Sequence, residues 1–340
     1  MTVVQALASA QRAVGRSLRL DEYLAEVLYG EHGFYNVGGK AGRRGDFITS
    51  PEVGPLFGAV LARWIDSEYV RLGRPDDFTI VEAGAGPGTL ARAVLLAAPQ
   101  WAGRYVAVEV SADQRATHPD EVRSQAQMPA APFNGVIIAN ELLDNLPFRL
   151  AVFDGGWREA TVSVAADGTL SEVLATAPDE WDWLPAGAPH GARAPVEESA
   201  GRWLITASSS LLAGSVLAFD YCTARTTDLA LRPWREWLRT YRGQARGSHY
   251  LRDPGAQDIT TEVCLDQLPA PTAVRTQAQF LQRWGIDELV EEGRLAWTAA
   301  AAAPDLTALR MRSRVREADS LLDQNGLGSF FAVEWQVLGS

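Results

Sequence analysis

At 340 residues, 47% hydrophobic and 21% charged, the chain is long and apolar enough to fold around a substantial core, as one large domain with insertions or as two smaller ones. A formal net charge of -11 argues against a broad phosphate-binding surface, so nucleic acid is not an expected partner. Two cysteines, Cys222 and Cys264, cannot build a disulfide framework, and His32, His118, His190 and His249 lack metal-ligand spacing, so no metal is expected.

From the N-terminus, Val14, Leu18, Leu20, Tyr23, Leu24, Val27 and Leu28 recur at helical spacing. They predict two helices broken near Gly15 to Arg19, with Asp21 capping the second and Gly30 ending it. The first twenty residues lack the uninterrupted apolar core of a signal peptide, and no later run approaches a membrane span. Membrane insertion is therefore not expected, and a cytoplasmic location is. Gly33 to Gly45 is rich in glycine and arginine, the composition of a linker, yet Asp46 beside it is a candidate for ligand contact. Thr49 or Ser50 can cap an amphipathic helix from Gly54 to Leu72, with Pro51 in its first turn and Glu52 favourable to its dipole.

Next comes an apolar strand, Phe78 to Val81, then Glu82-Ala83-Gly84-Ala85-Gly86-Pro87-Gly88, a helix from Thr89 to Ala98, and a strand from Tyr105 to Val108 that reaches Glu109. This is a nucleotide-type βαβ opening. Glycines are needed where the backbone turns tightly off a buried strand and a ligand must approach closely. Dinucleotide sites usually read G-x-G-x-x-G, whereas Gly84, Gly86 and Gly88 alternate behind an acid, the pattern of S-adenosylmethionine (SAM) methyltransferases. Glu109 is placed to accept both ribose hydroxyls. Phe133 to Ala139 reads as a further parallel strand ending in Asn140-Glu141-Leu142-Leu143-Asp144-Asn145-Leu146-Pro147, and in an open α/β sheet the carboxyl ends of strands face the ligand crevice. A helical turn starting at Asn140 would put Glu141 and Asp144 on one face, although cap and turn roles are also open to these residues.

Leu150 to Ala175 alternates at period two around turns at Asp154-Gly155-Gly156 and Asp167-Gly168, an antiparallel insertion. Val196 to Leu212 reads as a helix and Ser215 to Asp220 as a central strand; Arg225 to Asp258 is irregular and resembles a lid or substrate loop. A short strand near Thr272 to Arg275, helices at Gln277 to Trp284, Ile286 to Ala303 and Leu306 to Asp323, and a strand at Phe330 to Val337 complete the chain. The expected domains are residues 1–75, helical with a cofactor-covering loop, and 76–340, a core with insertions at about 150–195 and 225–270.

Several blocks together resemble the MidA-type methyltransferases, the family of the mitochondrial complex I assembly-factor arginine methyltransferase. They are Gly45 to Glu52, Glu82 to Leu90, Val108 to Ser111, Asn140 to Pro147, Asp258 to Val263 and Gln279 to Asp287. The resemblance implies an α/β class I methyltransferase fold, Rossmann-like, with a mainly parallel seven-stranded sheet, SAM as methyl donor and ω-N-methylation of arginine on a protein such as a respiratory-chain subunit. Cys222 stands where the family commonly has glycine, and Leu142 and Leu143 where it commonly has aromatics. Methyl transfer is an in-line displacement that needs alignment and exclusion of water. An arginine acceptor is cationic and planar, so carboxylates must orient it: Glu141 first, Asp144 second, with Asp46 closing over substrate or cofactor. Glu82, Gly84, Gly86, Gly88, Glu109 and Asn140 are the cofactor candidates, Glu82 by bracing the glycine loop or meeting the cofactor's ammonium. A small-molecule methyltransferase and a non-catalytic SAM-binding assembly factor are the alternatives, with an NAD-dependent oxidoreductase disfavoured by the glycine spacing.

Overall fold

The structure, a computed structural model, describes residues 1–36, 49–242 and 245–339. The chain folds into two compact units. One, the α/β unit, is Ile48–Leu142, Thr206–Asp220 and Pro271–Ser340; the other, the insertion unit, is Met1–Phe47, Leu143–Ile205 and Tyr221–Ala270.

The α/β unit is built on β1 (Thr79–Ala83), β2 (Tyr105–Val108), β3 (Arg123–Gln125), β4 (Phe133–Asn140), β5 (Leu211–Asp220), β6 (Ala273–Thr276) and β7 (Phe331–Val337). They form one seven-stranded sheet in the order β3-β2-β1-β4-β5-β7-β6. Strands β1 to β5 run parallel, but β7 is antiparallel to both of its neighbours, so the sheet is mixed. A buried apolar run reads the same in either direction, which is why sequence pattern does not reveal the reversal of β7.

Helix α1 (Pro55–Arg71) buries Leu56, Phe57, Val60, Leu61, Trp64 and Ile65. Phe57 packs edge-on against Phe219 with ring centroids 5.1 Å apart, and Phe219 meets Phe280 in the same way at 5.1 Å. Such a buried aromatic contributes about 1.5–3 kcal/mol through its removal from water. Gly58 allows α2 (Thr89–Ala97) to approach closely: a Cβ there would lie 2.4 Å from that of Ala93. The expected caps belong elsewhere. Thr49, Ser50, Pro51 and Glu52 form or precede a separate four-residue helix, Ser50–Val53. The N-terminus of α1 is capped instead by Glu317, whose carboxylate accepts from the Leu56 N–H at 2.8 Å, a partner too remote in sequence to anticipate.

These contacts place residues 49–72 with the sheet, whereas the expected domain division fell at 75. The N-terminal helices Val3–Val14 and Leu20–Tyr29 belong to the insertion unit, where Leu7, Leu18, Tyr23, Leu24, Val27 and Leu28 share a core with Phe148, Leu150, Val162 and Trp237. Gly15 ends the first helix in the left-handed conformation. The cap position of the second is Arg19 rather than Asp21; Glu22 accepts from the Arg19 N–H at 2.8 Å, and Asp21 pairs with the Arg19 side chain. The antiparallel insertion is present as Arg149–Phe153, Trp157–Val164 and Leu170–Thr176, flanked by Leu18–Arg19 and Arg193–Val196. Further on, Arg239–Arg242 pairs with Asp258–Thr260.

Candidate cofactor and acceptor site

Beyond β1 the backbone turns through Gly84, Gly86 and Gly88 with φ of 71°, 51° and 79°, the left-handed region that side chains disfavour. The Ala85 N–H donates to the Val108 carbonyl at 3.0 Å and so ties this loop to the end of β2. One residue further, Glu109 completes the connection. Its Oε2 accepts from the Gly86 N–H at 3.0 Å and its Oε1 from the Ser111 N–H at 2.8 Å. Glu109 is buried, but an ionised carboxylate has about four lone-pair directions, so these bonds leave capacity for a ligand's hydroxyls.

The two acids at the strand ends divide the work differently from the sequence expectation. Glu109 braces the glycine loop, whereas Glu82 points its Oε2 at the Tyr105 hydroxyl, which donates at 2.8 Å in a fully buried pair. Burial pushes Glu82 up to about 8; the Glu109 charge adds to this, against bonds from Tyr105 and the Ala91 amide that favour the charged form. Near neutral pH Glu82 thus holds a proton.

At the end of β4, Asn140 lies in register with Phe219, and the next N–H, that of Glu141, donates to the Phe219 carbonyl at 2.8 Å. Glu141 has φ of 51°, so no helical turn begins at Asn140; the turn comes later, as a 3-10 segment at Leu143–Asn145. Glu141 and Asp144 therefore do not share a helical face. The Asn140 amide donates to Glu141 Oε1 at 3.2 Å. Leu142 lies over the glycine loop, its Cδ1 3.1 Å from where a Gly84 Cβ would stand, so Glu141 is held one residue from the loop's roof.

Asp144 lies in the insertion unit. It is buried, and its carbonyl accepts from the Thr261 N–H at 3.0 Å. Beside it, Asp258 accepts from the Tyr35 hydroxyl at 3.0 Å and the Asn145 amide at 3.2 Å. In the same block Glu262 is bridged by Arg232, Arg239 and Thr223 at 2.7–3.0 Å, which holds its carboxyl below the usual range despite burial. Asp46 lies outside the described residues. Among the described residues no group of three or more His, Cys, Asp and Glu side chains gathers to hold a metal ion, and no helix is long and apolar enough to cross a membrane.

Sequence reasoning missed His118, whose Nε2 lies 2.8 Å from the Gly86 carbonyl, and Arg92, whose Nη1 donates to the Pro87 carbonyl at 2.8 Å. Neither sits near the loop in a recognisable motif. A Gly86 Cβ would come within 3.3 Å of Gln114 Oε1, and the buried Asn140 Oδ1 has no hydrogen-bond partner among the described residues. A carboxylate with spare acceptor capacity and an unsatisfied amide oxygen fit a ligand with hydroxyl and amino donors.

A parallel βαβ opening, glycine loop and strand-end acid define an α/β protein of the SAM-dependent methyltransferase class. The model of the family described as "Putative S-adenosyl-L-methionine-dependent methyltransferase" matches residues 60–282, well over half the chain. The chain belongs to this family, that of the MidA-type methyltransferases, whose cofactor is SAM. The protein arginine methyltransferase NDUFAF7 homolog, mitochondrial, of Drosophila melanogaster is 30% identical over 186 residues, covering 45% of this chain and 43% of that protein. The human protein arginine methyltransferase NDUFAF7, mitochondrial, is 43% identical over 75 residues, 22% of this chain and 17% of its own length. The chain thus spans less than half the length of these curated relatives. A crystal structure from Burkholderia thailandensis bound to S-adenosyl-homocysteine superposes with a TM-score of 0.84 at 24% identity, covering 99% of this chain and 92% of that one. A native crystal structure from the same organism gives 0.80 at 23%, covering 99% and 93%. These two share the fold.

Proposed function

We propose that the protein transfers a methyl group from SAM to a guanidinium nitrogen of arginine in a protein acceptor. The strand order β3-β2-β1-β4-β5-β7-β6, with β7 reversed, supports the class I methyltransferase reading. When bound, SAM supplies an electrophilic methyl on a sulfonium sulfur. Gly84 and Gly86 leave room for it, Glu109 receives ribose hydroxyls while holding the loop, and Asn140 offers its amide oxygen. Glu82, carrying a proton and bonded to Tyr105, supports the end of β1 rather than meeting the cofactor's ammonium.

The observation that carries the acceptor assignment is Glu141. It keeps a left-handed backbone at the end of a central strand, anchored by the Phe219 carbonyl and followed by the residue that roofs Gly84. A carboxylate held in a sparsely populated conformation beside a cofactor loop fits a residue placed for chemistry. It would orient the guanidinium fork and keep electron density on the reacting nitrogen. The curated relatives' names, protein arginine methyltransferase, support the arginine acceptor. Labelled SAM incubated with the protein and a cell lysate, followed by mass spectrometry, tests the reading. It predicts label on arginine in a protein; label confined to small molecules, or no transfer, would overturn it.

A further inference from the structure

The carbonyl of Gly86 faces a histidine from a different segment of the α/β unit. Resting on the reading that the glycine loop holds SAM, we infer that His118 is a positioning residue for the cofactor, fixing the carbonyl of the same residue whose N–H Glu109 holds. His118 Nε2 stands 2.8 Å from the Gly86 carbonyl oxygen, and its Nδ1 stands 2.9 Å from Ser124 Oγ. A carbonyl can only accept, so Nε2 carries the hydrogen. In the neutral ring Nδ1 then accepts from the Ser124 hydroxyl, and both nitrogens are used. Ser124 is itself set by the sheet, opposite Ala107 in the β2–β3 pairing.

Neighbouring bonds extend the clamp. Arg92 donates to the Pro87 carbonyl and to that of Thr117, whose own hydroxyl donates to the Gln114 carbonyl at 2.7 Å. The His118 ring also fills the space beside Gly88, where an added Cβ would meet its Cδ2 at 3.1 Å and Pro119 Cδ at 3.2 Å. Gly86, in a left-handed conformation, is therefore held at its N–H by Glu109 and at its carbonyl by His118. A loop ordered in advance spares the ligand the entropy of ordering it. A histidine serving only as packing would not need a donor at Nε2.

The test compares His118→Ala and His118→Gln with the wild type in binding S-adenosylhomocysteine by calorimetry, alongside melting temperatures and ¹⁵N NMR of histidine-labelled protein. Gln can place an amide donor at about the reach of Nε2 without restoring the ring. The inference expects the Nε2–H tautomer in the wild type, about a tenfold loss of affinity in His118→Ala, the scale of one hydrogen bond, and recovery of most of it in His118→Gln. Wild-type affinity in His118→Ala, an Nδ1–H tautomer, or no recovery in His118→Gln would each overturn it while leaving cofactor binding by the loop intact. Failure of the wild type to bind would overturn both. If His118→Ala does not fold, the wild-type tautomer and the Gln variant's affinity still decide.

Discussion

Glu141 is the residue on which the proposed chemistry turns, and its conformation sets a specific expectation. Glu141→Gln preserves the shape and the Phe219 anchor but removes the charge. SAM affinity is expected to stay within about a factor of a few, while transfer falls on the order of a hundredfold, the usual effect of losing one transition-state electrostatic partner. Steady-state transfer measured with binding on the same variant checks this; full activity would point to an uncharged nucleophile. Glu82 makes a second expectation, in pH. Unfolded, it titrates near about 4.3, whereas in the fold it is pushed up to about 8, so between these values the native state keeps a proton that the unfolded chain has released. Its contribution to stability is complete below the ordinary carboxylate range and is lost as pH rises through 8. Glu82→Gln, which keeps an acceptor for Tyr105, is expected to flatten the fall in melting temperature across that window; an unaltered slope would contradict the assignment. Glu82 and Glu109 were legible as acids at strand ends, but their partners were not, because Tyr105 and the Gly86 amide are brought to them by strand register rather than by neighbouring sequence, and His118 gave no local signal at all.

Among the elements, the glycine loop, α2 and the parallel strands were readable because strand, turn and helix periods follow one another in register. The turn after β4 was misread: a run of Asn, Glu, Leu, Leu and Asp has helical composition, but the bond from the Glu141 N–H to Phe219 extends strand pairing by one residue and delays the turn. Elsewhere a glycine that looked incidental is structural. At Gly135 in β4, φ is 152° and an added Cβ would lie 1.9 Å from the Thr79 carbonyl oxygen, a backbone approach that no rotamer can relieve. Gly135→Ala is expected to cost more than about 3 kcal/mol by forcing β4 and β1 apart. Urea unfolding measures this, and a loss under about 1 kcal/mol would mean that the strands can shift to admit a methyl group.

For the whole molecule, the composition indicated a folded chain with a substantial core, but the expected division at residue 75 separated residues by sequence position, whereas the two units are assembled from interleaved segments. Interleaving leaves no compositional boundary to read. The net charge of -11 fits a cationic acceptor, so transfer to arginine-rich peptides at subsaturating concentration is expected to slow as salt is raised from low to physiological strength, where screening acts over about 8 Å. A salt-independent rate would assign recognition to uncharged contacts. The central claim is that the glycine loop and Glu109 form a SAM site, and titration calorimetry of S-adenosylhomocysteine into wild type and Glu109→Ala tests it most directly. The account predicts saturable binding to the wild type and at least about a tenfold weaker Kd in Glu109→Ala, since the variant loses both the ribose acceptor and the brace on Gly86. Equal affinities in the two proteins, or no binding by the wild type, would contradict it.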